Sequence, residues 1–354
     1  MTRTGVRSVF TLSQAEREAK LLPQLTALIT HHRAACPAYA RILEATGHPE
    51  SRRYDRLTAL PWLPARIFKH HRLASIPDDQ VLTILKSSGT TGDVSRIYLD
   101  RDAAALGQRM FAQTMRAVIG PRRLPMLIVD GSTVVGDRRS FSARGAGVLG
   151  FLQLGRNCTF VLDDDGKPDL DRVRGFLDRH GAAPFLIFGF TFMVWLYLRE
   201  LARDARLDLS NGTLIHSGGW KKLADRAVDH AEFRRALGEA AGLTRITNFY
   251  GMAEQIGVVH LEGPSGSALY SPDFADVVIR DPATWQEAPV GTPGLVQVIS
   301  TLPRSYPGHS ILTEDLGVVH GVDDGEWPGK RFSILGRLPK AEARGCADTF
   351  ASAS

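Results

Sequence analysis

Cysteine is scarce in this sequence. Three residues, Cys36, Cys158 and Cys346, stand at unrelated spacings, which excludes a disulfide framework and a cysteine-based zinc site and fits a reducing compartment. The N-terminus, Met1-Thr2-Arg3-Thr4-Gly5-Val6-Arg7, lacks the apolar block of a signal peptide, so a cytoplasmic protein is expected. Runs of like charge are short, and basic residues rarely alternate with aromatic ones. The net charge of +5 therefore reads as solubility with a mild bias towards anionic small molecules, and no nucleic-acid partner is expected. Long apolar runs are also missing, apart from the uncharged tract 182–198. Pro184, Gly189 and Thr191 divide that tract into a strand-like Phe185-Leu186-Ile187-Phe188 and a helix-like Phe192 to Leu198, so a buried strand and helix are expected in place of a membrane span. Its aromatics, Phe188, Phe190, Phe192 and Trp195, suit the wall of an apolar ligand pocket.

Several familiar signatures are absent. There is no Gly-x-x-x-x-Gly-Lys-Ser/Thr phosphate loop, no Gly-x-Ser-x-Gly elbow and no internal repeat. Gly145-Ala146-Gly147-Val148-Leu149-Gly150 matches the dinucleotide fingerprint on paper. The preceding Arg138-Arg139-Ser140-Phe141-Ser142 is no buried strand, so the match is discounted. His70-His71 lacks partners at metal spacing and reads as a surface pair.

What is present is ordinary globular material, 44% hydrophobic and 23% charged over 354 residues, enough for one large or two moderate domains. Ser13-Gln14-Ala15-Glu16 has capping-box spacing and predicts a helix to about Arg33. A second helix is predicted from Asp102. From Leu124 to Tyr250, short apolar strands alternate with amphipathic helices: strands at Met126–Val129, Thr159–Leu162, Phe185–Phe188, Leu214–His216 and Arg245–Phe249, helices at Leu170–Arg179 and Leu223–Ala240. That alternation predicts a parallel α/β sheet. After Gly251 the pattern is short strands, among them Ile256–His260, Leu295–Ser300 and Phe332–Leu335, which predicts a β-rich subdomain or small barrel.

The densest chemical signal is Ser87-Ser88-Gly89-Thr90-Thr91-Gly92, between the strand-like Val81–Leu85 and Arg96–Leu99. Glycines let a backbone approach a ligand, while hydroxyls and successive N–H groups supply donors for phosphoryl oxygens. Open α/β sheets bind ligands at the carboxyl ends of their strands. Three polar clusters qualify: His216-Ser217-Gly218-Gly219-Trp220, Asn248-Phe249-Tyr250-Gly251-Met252-Ala253-Glu254 and Leu312-Thr313-Glu314-Asp315-Leu316-Gly317. Each alone reads equally as a structural turn.

In order, these segments and the final Ile334-Leu335-Gly336-Arg337 resemble the core motifs of the adenylate-forming superfamily. Within it, Leu85 to Gly92, Arg96 to Asp100 and the tail from Leu335 to Cys346 resemble the acyl-protein synthetase (LuxE-type) family. The resemblance implies an α/β adenylation core, 1–337, made of a helical opening segment (1–80), an α/β portion (81–250) and a β-rich portion (251–337), followed by a short mobile tail, 338–354. It implies that Ser87, Ser88, Gly89, Thr90, Thr91 and Gly92 hold the ATP phosphates, with Arg96 the nearest cation where relatives carry a Pro-Lys pair. Gly218 and Gly219 would lie against adenine, Tyr250 and Gly251 would meet it from the next strand, Asp315 would bind the ribose and Arg337 would contact the nucleotide. Glu254 would hold Mg²⁺. Phe188, Phe190, Phe192 and Trp195 would line the acyl pocket.

The implied activity is ATP-dependent activation of a fatty acid as acyl-AMP, followed by transfer to Cys346 as a thioester for an acyl reductase or other acceptor. Full-length adenylate-forming relatives carry a mobile second domain on the order of 100 residues, and this sequence is expected to lack it. Lys340 and Arg344, shortly before Cys346, would favour the thiolate. Two alternatives stay open: an acyl- or aryl-CoA ligase of the phenylacetate type, and a non-catalytic nucleotide- or acyl-binding subunit.

Overall fold

The structure, a computed structural model, describes residues 8–86, 94–136, 143–220 and 227–338. Ser13 caps the first helix, α1 (Gln14–Ala35): its hydroxyl accepts the Glu16 N–H, and the Glu16 carboxylate accepts the Ser13 N–H at 2.9 Å. Leu21, Leu25 and Ile29 recur every fourth residue and bury one stripe. Arg17 continues that stripe. Fully buried, it donates through Nη1 to the carbonyls of Ser271 at 2.6 Å and Ala275 at 3.0 Å, and so fastens α1 to the far end of the chain. There follow α2 (Pro37–Ala45), the two-residue β1 (Leu63–Pro64) and one turn of α3 (Ile67–His70).

β2 (Thr83–Lys86) and β3 (Arg96–Leu99) then pair antiparallel, with Lys86 opposite Arg96. These are the two arms expected around the hydroxyl loop. Asp100 caps α4 (Arg101–Ile119) by accepting the Ala103 N–H at 2.7 Å.

The alternating portion comprises β4 (Leu124–Gly131), α5 (Ala143–Leu152), β5 (Gly155–Leu162), α6 (Leu170–His180), β6 (Phe185–Phe190) and α7 (Thr191–Met193). A π-helical turn (Val194–Leu198) leads into α8 (Arg199–Ala205), then β7 (Gly212–Ser217), α9 (His230–Ala241) and β8 (Arg245–Tyr250). All five strands pair in parallel, in the order β5-β4-β6-β7-β8. Strand order reverses at β4, because β5 lies on one side of it and β6 on the other. Right-handed crossovers then require α5 and α6 to cover opposite faces. They do: Val148 and Phe151 of α5 pack with Met126, Ile128 and Phe188, whereas Val173 and Phe176 of α6 pack with Leu127, Val129 and Ile187. The period of two along β4 and β6 decides which side chain joins which core.

The remaining strands are β9 (His260–Glu262), β10 (Leu269–Tyr270), β11 (Ala275–Arg280), β12 (Gly294–Ser300), β13 (Ser310–Val322) and β14 (Lys330–Arg337). They continue the same hydrogen-bonded path as β8-β9-β10-β14-β13-β12-β11, all antiparallel. The β-rich portion is therefore an open extension of the parallel sheet, with β1 pairing to β13 off the path. Among the described residues no helix is long and apolar enough to cross a membrane; the uncharged tract is β6 followed by α7 and the π turn.

Two boundaries differ from expectation. The strand expected at Ile256–His260 starts only at His260, because Gly257 takes φ +81° and its backbone packs directly on Gly107 of α4, where a Cβ would come within 2.5 Å. The helix expected from Leu223 starts at His230, where Asp229 accepts the Glu232 N–H; residues 221–226 lie outside the described chain. The discounted fingerprint at Gly145–Gly150 lies inside α5.

Candidate active site

The carboxyl ends of β4, β6, β7 and β8 lie side by side, and three expected site residues meet at the last of them. Tyr250 ends β8, and its hydroxyl donates to Asp315 Oδ2 at 2.7 Å. Arg337 Nε donates to Asp315 Oδ1 at 3.3 Å. Asp315 and Arg337 are direct cross-strand partners in β13 and β14, so Thr313-Glu314-Asp315 belongs to the middle of a strand and does not follow one, as its polarity had implied. Burial raises the Tyr250 phenol well above its usual pKa, and the Asp315 charge adds to the shift. The hydroxyl thus stays protonated and donating. Arg337 is largely exposed, so its pair with Asp315 contributes orientation more than stability.

Beside Tyr250, at the end of β7, Gly218 takes φ +84° and Gly219 has open space where a Cβ would sit. Both are exposed, which leaves backbone that a ligand can approach without meeting a side chain of the turn. Gly251 is also exposed, with Val258 O 3.0 Å from its would-be Cβ. His216, two residues before Gly218, is buried and hydrogen-bonded through Nδ1 to Thr191 Oγ1 at 2.9 Å, which ties the end of β7 to the end of β6. Burial first, then His230 and Arg234 nearby, lower its pKa to about 3, so it is neutral.

Glu254 follows in a single 3₁₀ turn, Ala253–Gln255, and is buried. Among the described residues none donates a hydrogen bond to its carboxylate. A buried carboxylate in that condition fits a cation.

The four aromatics expected in one pocket are not brought together. Phe188 lies in the core on the α5 face, stacked on Phe151 with centroids 3.7 Å apart. Trp195 packs on the α6 face against Trp220 and Phe233, and half-buried Phe192 joins it there. The physical reason is the sheet itself, which passes between the two groups. Only Phe190 borders both cores. Its ring lies between α5 and the glycine turn: Cζ is 3.3 Å from where Gly147 would carry a Cβ, and Cδ1 is 3.5 Å from the same position at Gly218. A groove of about 570 Å³ lies elsewhere, lined by Leu170, Leu196, Tyr197 and Leu201 among others, and none of the expected site residues among the described ones borders it.

Arg96 is exposed at the start of β3, facing Lys86 across the hairpin. Ser87 to Gly92, Lys340 and Cys346 lie outside the described residues. The sequence reading missed Lys86, whose position opposite Arg96 follows from pairing the two arms. It also missed the ion pair of Asp130, at the end of β4, with Arg144 in the first turn of α5, which only the turn of α5 back over the sheet assembles.

The sequence model of the LuxE acyl-protein synthetases matches residues 7–354. The chain belongs to that family. It is 22% identical to the long-chain-fatty-acid–luciferin-component ligase of Aliivibrio fischeri over 302 residues. To the ligase of that name from Vibrio harveyi it is 25% identical over 306 residues. Each alignment covers 83% of this chain and 78% of the relative. Among solved structures, an open conformation of 2-hydroxyisobutyryl-CoA ligase with 2-HIB-AMP and CoA superposes with TM-score 0.73 and 20% identity, over 96% of this chain and 80% of that one. ATP-bound MatB from Rhodopseudomonas palustris superposes with TM-score 0.50 and 18% identity, over 74% and 49%. At such identities these structures speak for the fold, which is that of the adenylate-forming ligases. As a member of the acyl-protein synthetases with this fold, the chain is an ATP-dependent acyl ligase.

Proposed function

We propose that the protein activates a long-chain fatty acid with ATP and transfers the acyl group to Cys346, from which an acyl reductase or other acceptor takes it. The observation that carries this reading is the meeting of Tyr250, Asp315 and Arg337 beside the exposed Gly218-Gly219 turn, in a chain of the acyl-protein synthetase family whose curated relatives are named for long-chain fatty acids.

In the first half-reaction a carboxylate oxygen of the acid forms a bond to the α-phosphorus as the bond to pyrophosphate breaks. Adenine rests on Gly218, Gly219 and Gly251 with the Tyr250 ring across it, and Asp315, held by Tyr250 and Arg337, accepts hydrogen bonds from the ribose. Ser87, Ser88, Gly89, Thr90, Thr91 and Gly92 supply phosphate donors, with Lys86 and Arg96 at the base of their loop. Glu254 would hold Mg²⁺, which when bound screens the charge that accumulates as two anions approach. Phe190 separates the nucleotide turn from the acyl chain.

In the second half-reaction the Cys346 thiolate attacks the acyl carbonyl, the bond to AMP oxygen breaks and AMP leaves. Lys340 and Arg344 favour the thiolate. The Leu338 N–H is held at 2.9 Å by the carbonyl of Glu314, next to Asp315, so the tail departs from the edge of the nucleotide site. From there an extended chain reaches Cys346 within roughly 30 Å.

Acid-dependent exchange of labelled pyrophosphate into ATP tests the first half-reaction. Exchange with long-chain acids and none without acid is expected. ATP binding with no exchange for any acid would instead indicate a nucleotide-binding subunit.

A further inference from the structure

Strand order in the parallel portion reverses between β4 and β6. Because α5 leaves β4 towards one face and α7 leaves β6 towards the other, the carboxyl ends of β4 and β6 enclose a crevice, the place where open α/β sheets take ligands. Asp130 and Gly131 border it on the β4 side, Phe190 and Thr191 on the β6 side. The adenine surface at Gly218 and Gly219 is at β7, two strands from β4 and thus about 10 Å across the sheet. A molecule in the crevice lies beside a nucleotide at the turn, with the Phe190 ring between α5 and Gly218.

Among the described residues the crevice holds one fixed cation. Arg144 Nε donates to Asp130 Oδ2 at 2.7 Å and Nη2 to Oδ1 at 2.5 Å, a two-point pairing that sets the plane of the guanidinium. Asp130 is 3% exposed and also accepts the Gly131 N–H at 2.7 Å, so it cannot turn away. The Arg144 side chain is 36% exposed, and its outer N–H groups meet no acceptor among the described residues. Arg144 and Gly147, three apart on α5, share a helical face, and Gly147 is the residue against Phe190.

We infer that Arg144 receives the carboxylate of the acyl substrate in the β4/β6 crevice, oriented by Asp130, while the acyl chain lies against Phe190. This rests on the fatty-acid activation proposed above. A guanidinium keeps its charge and offers paired N–H groups to a carboxylate; held in one plane, it presents the acid to the α-phosphate without a search for geometry. Asp130 is a positioning residue.

The test compares wild type with Arg144→Lys and with the double variant Asp130→Asn, Arg144→Gln. The double variant leaves no buried carboxylate unpaired, so it guards against misfolding. Acid-dependent pyrophosphate release gives KM for myristic acid and for ATP separately. Trp195 and Trp220 fluorescence reports binding of myristic acid against tetradecanol without ATP. The expected result is a KM for the acid raised about tenfold or more in both variants, KM for ATP within about twofold, and loss of the preference for acid over alcohol. Unchanged acid KM and preference in active, folded variants would overturn the inference while leaving fatty-acid activation intact. A wild type that releases no pyrophosphate with any acid would overturn both.

Discussion

The Tyr250 hydroxyl donates to Asp315 Oδ2 across 2.7 Å, joining the last parallel strand to the middle of an antiparallel one. Asp315 keeps lone pairs free for a further donor on both oxygens, because each carboxylate oxygen accepts more than one hydrogen bond. On the function proposed above, the contact therefore orients Asp315 for a nucleotide without blocking it. Tyr250→Phe keeps the ring and removes the donor, so KM for ATP should rise about three- to tenfold. Asp315→Asn, which loses a charged acceptor, should cost about tenfold to a hundredfold in kcat/KM for ATP. Steady-state pyrophosphate release at varied ATP checks both, and equal effects on the KM of the acid would count against the assignment.

Acid should unfold this protein through its buried histidines. Burial lowers His216, His260 and His309 to about 3, and His32 also falls well below its usual value. His309 stacks on His32 with centroids 5.2 Å apart, so neither gains a charge cheaply. The folded pKa is depressed below the unfolded value of about 6.5, and the unfolded chain therefore binds more protons between pH 6.5 and about 3. Stability is full above pH 6.5 and falls as pH drops through that window, by up to about 1.4 kcal/mol per pH unit for each histidine. Urea midpoints from pH 7 to pH 4 should follow this course, with a shallower slope in His309→Gln.

Phe188 and Phe190 are two residues apart and should behave differently. Phe188→Ala removes a ring stacked on Phe151 in a closed core and should destabilise the protein by about 3–5 kcal/mol. Phe190→Ala, at the border of the site, should cost less and shift the preferred acyl chain length. Urea unfolding and a chain-length series of acids separate the two.

Arg17 should be hard to replace. Its buried guanidinium satisfies carbonyls of Ser271, Pro272 and Ala275, and Arg17→Ala leaves several without a donor at about 1–3 kcal/mol each. A loss of more than about 3 kcal/mol is expected from chemical unfolding, with less in Arg17→Lys.

Local signals in the sequence were legible wherever one stretch of chain suffices to decide the structure. The capping box at Ser13, the arms of the hydroxyl loop and the strand–helix alternation from Leu124 to Tyr250 are such cases, since caps, turns and periodicity act within a few residues. That Tyr250, Asp315 and Arg337 belong together was readable only through family resemblance, because they meet by strand register between distant segments. The Asp130–Arg144 pair was invisible for a related reason: its segment resembles a dinucleotide fingerprint, and only the reversal of strand order at β4 gives it a crevice to face. The aromatics from Phe188 to Trp195 looked like one pocket wall because composition does not reveal which side of a sheet each ring takes.

The central claim is acyl activation followed by transfer to Cys346. Its most direct test incubates wild type and Cys346→Ser with Mg-ATP and labelled fatty acid, then resolves the proteins on a denaturing gel with and without neutral hydroxylamine. The account predicts hydroxylamine-labile label on wild type, none on Cys346→Ser, and pyrophosphate release by both. Unlabelled wild type that forms acyl-CoA once coenzyme A is added, equally well in Cys346→Ser, would contradict it and make the protein an acyl-CoA ligase.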